Sequence, residues 1–414
     1  MNRFAGYLRL LTMNTFKLIG WLTLPFLAGC SGMMDFQSSK QAHSNFQPKH
    51  AVQACAPASQ VGQWLIPTDL DAKPVMAEEV LKGMKQQQVV LLGEQHDSAE
   101  DHRWQLHMLS QLHSQHANMA VGFEMFPRRL QGVLNRWVAG ELSESEFRKQ
   151  SEWDQVWGYE WDQYAPLFHY ARMNRMPMLA LNVERSLVSV VGQSGWDAVP
   201  LAQREGVTTP AAPQPAYLNA LKSVFGMHGE KKIDEAAFNR FVQAQTVWDR
   251  AMAMVIADHL KQHPQAQVVG IMGSGHVRNG YGVAHQLKSL GVERTGLLMT
   301  WEHTDACHAL GDGLADAIYL AQSPKNNPPR MGVGIDELPQ AQGLKVTSIT
   351  PGSIAEAAEL KLGDVIVEVA GQAAKNFAVL RTAIQRQSPG TWLPLKVKRE
   401  DKDLELIARF PVQP

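Results

Sequence analysis

Cysteine is scarce in this chain, with three in 414 residues, and no Cys-x-x-Cys-His occurs, which excludes covalently attached c-type haem. An excess of one charge is lacking too, since 39 lysines and arginines meet 40 aspartates and glutamates. No basic patch of domain size and no interleaving of arginine with aromatics appears, so nucleic acid is set aside as a partner. A Gly-x-Ser-x-Gly elbow and a Walker loop are both missing, which argues against the common serine hydrolases and NTPases. What is present is length for two domains and an ordinary 45% hydrophobic content, enough for a sizeable core. The 15 histidines mildly favour metal or cofactor chemistry.

At the N-terminus, Arg3, Arg9 and Lys17 precede the apolar run "LIGWLTLPFLAG", which stops at Cys30. The run is too short to span a bilayer stably and reads as a secretory signal over 1–30. "LAGC", Leu27 to Cys30, resembles the bacterial lipobox, which makes Cys30 the expected acylated residue. Met13 opens a more compact signal of the same type. Ser31 rather than aspartate follows the cysteine, which points to an outer-membrane lipoprotein facing the periplasm. In that oxidising compartment Cys55 and Cys307 form an even pair and are expected to be bridged. Residues 31–60 show no periodicity and read as a flexible tether.

From Val61 the pattern changes. Apolar runs begin at Gln88, Met119, Met176, Gln267 and Arg294 and alternate with helical patterns, which predicts an α/β domain over 61–308 with a mostly parallel sheet buried on both faces. The segment from Ala99 to His116 makes the first crossover, and its histidines, His102, His107, His113 and His116, are expected in solvent. A strandless insertion, 185–262, sets Phe238, Phe241, Val242, Trp248, Met252, Val255 and Ile256 on one helical face and reads as a helical cap. Residues 309–329, ending in "QSPKNNPP", read as a linker. Beyond it, 330–414 alternates short strands with one helix, a small, mostly β module.

Two strands end alike. "VVLLGEQHD" and "VVGIMGSGHV" each run into glycine, two residues, then histidine, at His96 and His276. In an open parallel sheet ligands sit outside the carboxyl ends of the strands. Glu94 and His96, Glu124, Asn182 and Glu184, and Ser274 and His276 are therefore expected on one rim. Two imidazoles and a carboxylate there suit a divalent metal or an acid/base pair, with glycine letting the backbone turn close to a ligand. The aromatic stretch from Ser151 to Arg175 could wall a flat ligand and supply tyrosine, although most of its members read as core.

Together "GEQHD", "GFEMF", "WDQYAPL", "LALNVER" and "GSGHVRNGYGV" resemble the ChaN-like haem-binding lipoproteins, in the superfamily that also holds the Tiki metalloproteases. The resemblance implies a doubly wound fold with a helical cap, haem as cofactor, a role in iron uptake, and homodimers that enclose haem. It also implies Tyr and His ligands, with Tyr159, Tyr164 and Tyr281 all in matching segments beside His96 and His276. The metalloprotease branch is similar in the same residues. It would place zinc or manganese on His96, His276 and Glu124, with Glu94 or Glu124 as general base. The C-terminal module resembles a PDZ domain of the bacterial protease type through "SITPGSIAEAAELKLGDVIVEVAGQ", with Glu359 where glycine is usual. Met331, Gly332, Val333, Gly334 and Ile335 would then receive the carboxylate of a peptide or protein C-terminus added as a strand. A third reading is a non-catalytic envelope scaffold in which only this module works.

Overall fold

Runs of valine, leucine and isoleucine without alternation cannot face water on either side, and in the computed structural model they form the middle of one sheet. The structure describes residues 60–68, 72–227, 234–302, 310–311, 313–322, 329–339, 342–400 and 402–412. The expected lipidation at Cys30, the tether before residue 60 and the Cys55 to Cys307 bridge lie outside them.

Eight strands make this sheet: β1 (Trp64–Ile66), β2 (Lys73–Val75), β3 (Val89–Glu94), β4 (Met119–Pro127), β5 (Met178–Asn182), β6 (Gln267–Gly273), β7 (Thr295–Glu302) and β8 (Ala317–Ala321). Their spatial order is β2-β1-β8-β7-β3-β6-β4-β5. The six from β8 to β5 run parallel, and β1 closes the edge antiparallel to both β8 and β2. From β3 the chain moves outward to β4 and β5, then returns through β6 to the other side. This is the doubly wound arrangement, and its crevice opens at the carboxyl ends of β3 and β6. These neighbours pair in register, with Glu94 opposite Gly273.

One face of the sheet carries α1 (Ala77–Met84), α2 (Ala99–Gln115), α3 (Gln131–Ala139), α4 (Glu144–Gln150), α5 (Trp153–Val156) and α6 (Trp161–Met173). Their aromatic core includes Trp137, Phe147, Trp153, Tyr164 and Phe168, all fully buried. The insertion folds as α7 (Arg185–Ser194), α8 (Pro215–Met227) and the 28-residue α9 (Glu235–Gln262). Together with the short α10 (Ser274–Val277) and α11 (Val283–Ser289), α9 covers the opposite face through Met252, Ile256, Val283 and Leu287.

One boundary differs from the sequence reading. Strand β8 lies inside the stretch taken as linker, because Ile318 and Leu320 are buried against the sheet while Tyr319 packs on Trp64. The run is five residues long and surrounded by polar sequence, too short for periodicity to reveal it. The three-residue β1 and β2 escaped for the same reason.

The C-terminal module has β9 (Val333–Glu337), β10 (Leu344–Ile349), β11 (Val365–Val369), β12 (Gln372–Ala373), β13 (Trp392–Arg399) and β14 (Lys402–Arg409), with α12 (Ile354–Ala357) and α13 (Phe377–Gln385). All its pairings are antiparallel, in the order β14-β13-β11-β10-β9 with β12 on β11. It has its own core, around Leu344, Ile366, Leu380, Leu393 and Val397.

Candidate functional site at the carboxyl ends of β3 and β6

Glu94 ends β3 with its side chain sealed inside the protein. A lone carboxylate there would cost several kcal/mol, and two hydrogen bonds and an ion pair compensate. His96 Nδ1 stands 2.8 Å from Oε1, and the Tyr164 hydroxyl donates to the same oxygen at 2.7 Å. His102 Nδ1 lies 3.4 Å from Oε2 and is shared with Gln105 Oε1 at 3.2 Å. The Gln105 amide is oriented by donating to the Leu92 carbonyl, so Oε1 is its acceptor end. His102 Nε2 in turn faces the His96 carbonyl at 3.2 Å. Both ring nitrogens therefore face acceptors, and although burial disfavours the charged ring, Glu94 raises the His102 pKa above its ordinary value. Burial opposes the charge on Glu94, but hydrogen bonds from His102 and His96 overcome it and hold the carboxyl far below its usual range.

His102 is thus buried in the site rather than solvated. The Ser98 hydroxyl, accepting from Asp101 N–H, caps α2 and sets its first turn against β3. His107, on the opposite side of the helix, is the exposed one.

The result at His96 is an imidazole with Nδ1–H committed to Glu94 and Nε2 turned across the crevice. A Cβ at Gly273 would lie 3.1 Å from that nitrogen and 3.6 Å from Glu124 Oε2, so glycine is the residue that leaves room there. Burial disfavours the charged form of His96, but the Glu94 hydrogen bond and the nearby Glu124 raise its pKa above the ordinary value. Glu124, buried within β4, accepts from Gly273 N–H at 2.7 Å through Oε2 and stands 3.6 Å from His276 Nε2 through Oε1. Asn182 supports it by donating to the Glu124 carbonyl.

His276 is held from behind by a residue the sequence reading missed. Asp249, on α9 and fully buried, lies 2.6 Å from its Nδ1 and accepts from the Tyr217 hydroxyl at 2.9 Å. Burial alone would lower the His276 pKa, yet Glu124 and Asp249 raise it to about 9. The signal for Asp249 was visible as a charge on the otherwise apolar face of α9, between Trp248 and Met252.

Of the three tyrosines singled out, one has its ring against His96. The Tyr159 ring is 5.3 Å from His96 and half-buried, and Trp157 packs edge-on against the same imidazole at 4.7 Å. Tyr164 is fully buried, its hydroxyl spent on Glu94, so it braces the site instead of facing a ligand. Tyr281 packs with Tyr217 in the cap. Glu184 also leaves the crevice: its carboxylate pairs with Arg129, which also holds Glu152.

Chemically, the crevice offers imidazole nitrogens, a phenol and a carboxylate beside a flat aromatic wall. Such nitrogen and oxygen donors suit iron. On the far side the Trp248 indole packs on His276 at 4.9 Å, and its buried N–H has no hydrogen-bond partner among the described residues. Donor set and aromatic wall fit a planar, anionic iron macrocycle.

In the C-terminal module, β9 ends the sheet and, among the described residues, pairs with β10 alone, leaving an edge for an added strand. Gly332 has φ +75, and a Cβ there would meet Ser353 Cβ at 2.3 Å; one at Gly334 would meet Ser348 Oγ at 2.2 Å. The loop is anchored where Thr350 and Ala355 N–H donate to the carbonyls of Gly332 and Met331. Val333, Ile335 and Ile384 are half-buried beside this edge.

A family model described as "Haem-binding uptake, Tiki superfamily, ChaN" matches residues 80–287, just over half of the chain, and a PDZ domain model matches 320–398. A solved structure, ChaN of Campylobacter jejuni with cofacially bound haem, aligns over 62% of this chain and 96% of its own, with a TM-score of 0.50 at 18% identity. At that identity the likeness is one of fold. Two curated proteins described as "Probable periplasmic serine endoprotease DegP-like", from Chlamydia trachomatis and Chlamydia muridarum, are each 40% identical over 80 residues. Those residues are 19% of this chain, which spans only 16% of the relatives' length.

Proposed function

The chain belongs to the haem-binding uptake family ChaN of the Tiki superfamily, and from that premise we propose that it binds haem in the crevice between β3 and β6. The observation that carries the reading is the presentation of His96. Its Nδ1 is held by Glu94, its Nε2 faces the crevice, and Trp157 and Tyr159 stand against the ring. His96, Tyr159 and His276 are the residues that would hold the group, which would supply an iron open to nitrogen and oxygen donors. Trp157 and Trp248 would exclude water from its faces.

Around this core the chain reads as an envelope lipoprotein, anchored in the outer membrane through Cys30, serving iron or haem uptake, and pairing with a second copy over the crevice. The PDZ domain would recruit an extended peptide or protein C-terminus along β9, its apolar end against Val333 and Ile384. Titrating the purified full chain with hemin tests the central statement. A shifted Soret band that is weakened in His96→Ala is expected; a wild-type spectrum equal to free hemin overturns it.

One observation favours a second reading. His96 and His276 each have a carboxylate behind Nδ1 and turn Nε2 toward Glu124, as ligands of a catalytic metal do. Among the described residues no three such side chains already stand at metal-ligating spacing, so this reading requires them to draw together. Zinc- or manganese-dependent cleavage of an unfolded protein, lost in Glu124→Gln, would support it over haem.

A further inference from the structure

We propose that Asp249 and Tyr217, both on the helical cap, are positioning residues that fix the ring of His276, forming the second of two matched braces around the ligand crevice. What His276 does there rests on the ligand reading above. How it is held rests on geometry alone.

The two braces have the same parts from unrelated elements. At His96, Nδ1 meets the Glu94 carboxylate, which also accepts from the Tyr164 hydroxyl. At His276, Nδ1 meets the Asp249 carboxylate, which also accepts from the Tyr217 hydroxyl. Imidazole, carboxylate and phenol thus recur in the same order, once from the sheet and its α6 face, once from α8 and α9.

Burying Asp249 needs a reason. An apolar side chain would pack mid-helix at less cost than a charge, yet position 249 is fully buried and its carboxylate is spent on His276 and Tyr217. The backbone is shaped for the contact as well. A Cβ on Gly282 would come within 2.8 Å of Asp249 Oδ1 and 2.7 Å of the His276 carbonyl, so glycine clears the path between cap and ring. With an acceptor at Nδ1, that nitrogen keeps its proton when the ring is neutral. Nε2, facing Glu124 at 3.6 Å, is then the atom left for a ligand. The cap is therefore a working part of the crevice: displacing α8 or α9 rotates or re-protonates His276.

Two readouts on the full chain test this. The first is nitrogen NMR of histidine-labelled protein without ligand, followed from about pH 6 to about pH 10, with the His276 signals assigned by their loss in His276→Gln. Wild type is expected to keep Nδ1–H at the highest pH, Tyr217→Phe to shift it, and Asp249→Asn and Gly282→Ala to move the proton toward Nε2. The second is hemin affinity, expected to fall about tenfold in Asp249→Asn and less in Tyr217→Phe, at an unchanged far-UV spectrum. Should Asp249→Asn not fold, the Tyr217→Phe pair of readouts decides. A neutral wild-type ring protonated on Nε2, or an Nδ1–H unchanged in every variant, overturns the brace. Unaltered hemin affinity in a variant whose proton has moved overturns its role in ligand binding. Failure of wild type to bind hemin counts against the haem reading alone, because the NMR result does not depend on it.

Discussion

His276 stands between two buried carboxylates, Glu124 and Asp249, and their attraction outweighs its burial, raising its pKa from 6.5 to about 9. A folded-state value above the unfolded one means that the paired imidazolium stabilises the fold fully below about pH 6.5, less as pH climbs, and not at all beyond about 9. The size of the effect is on the order of 3 kcal/mol. His96 and His102 are raised too, each against its burial by Glu94, so wild-type stability contains all three. Comparison with Asp249→Asn isolates the share that Asp249 contributes to His276, since Glu124 remains. Urea midpoints should fall from pH 6.5 to 9.5 more steeply in wild type than in the variant, and parallel curves would refute the linkage. At this scale the sequence was half legible. Glycine-x-x-histidine twice at strand ends located His96 and His276. His102, Asp249 and Tyr217 were not found, because their partners lie on other elements and a helix sequence does not reveal which neighbour a buried polar side chain meets.

Elements show a different balance. Strands β3 to β6 were readable because each is a continuous apolar run buried on both faces, and β7 because its apolar run survives partial exposure, whereas β8 was lost in polar surroundings. The turn between α12 and β11 tests the reading of one departure from pattern. Glu359 stands where PDZ sequences usually carry glycine, and its φ is +60, so the backbone keeps the left-handed conformation that glycine would adopt freely. Its carbonyl is held there by Arg399 Nη2 at 2.7 Å, and Arg399 also pairs with the buried Asp364. Glu359→Gly should stabilise the domain by up to about 1 kcal/mol, the strain relieved exceeding the chain entropy regained by the unfolded state. Thermal melting would register this as a rise of a few degrees for the PDZ transition; a fall would mean that the glutamate side chain contributes more than its backbone costs.

For the whole molecule, the boundary between domains is fixed by β8. It pairs with β7 on one side and β1 on the other, so the haem-binding domain runs past residue 308 and its last strand precedes the connection to the PDZ domain. A chain ending at Pro329 should keep the cooperative melt and hemin binding of the first domain. One ending at 308 strips a buried strand carrying Ile318 and Leu320 and should unfold or aggregate, as size-exclusion chromatography and melting would show. Equal behaviour of the two truncations would contradict this account of the edge.

The pairing of β1 with β8 also has a mechanical meaning. Gly62 N–H donates to Leu320 O and Leu320 N–H to Gln63 O, so the chain enters the domain at residue 60 and leaves it at residue 322 from the same end of two antiparallel neighbours. If the proposed Cys30 anchor and a PDZ-bound partner pulled on the two ends of the domain, the tension would load these bonds one after another, like the teeth of a zip. Such a load would act first on the β1–β8 pair, while β3 and β6 lie two and three strands beyond β8. The ligand crevice would thereby be kept apart from traction on the chain's two connections.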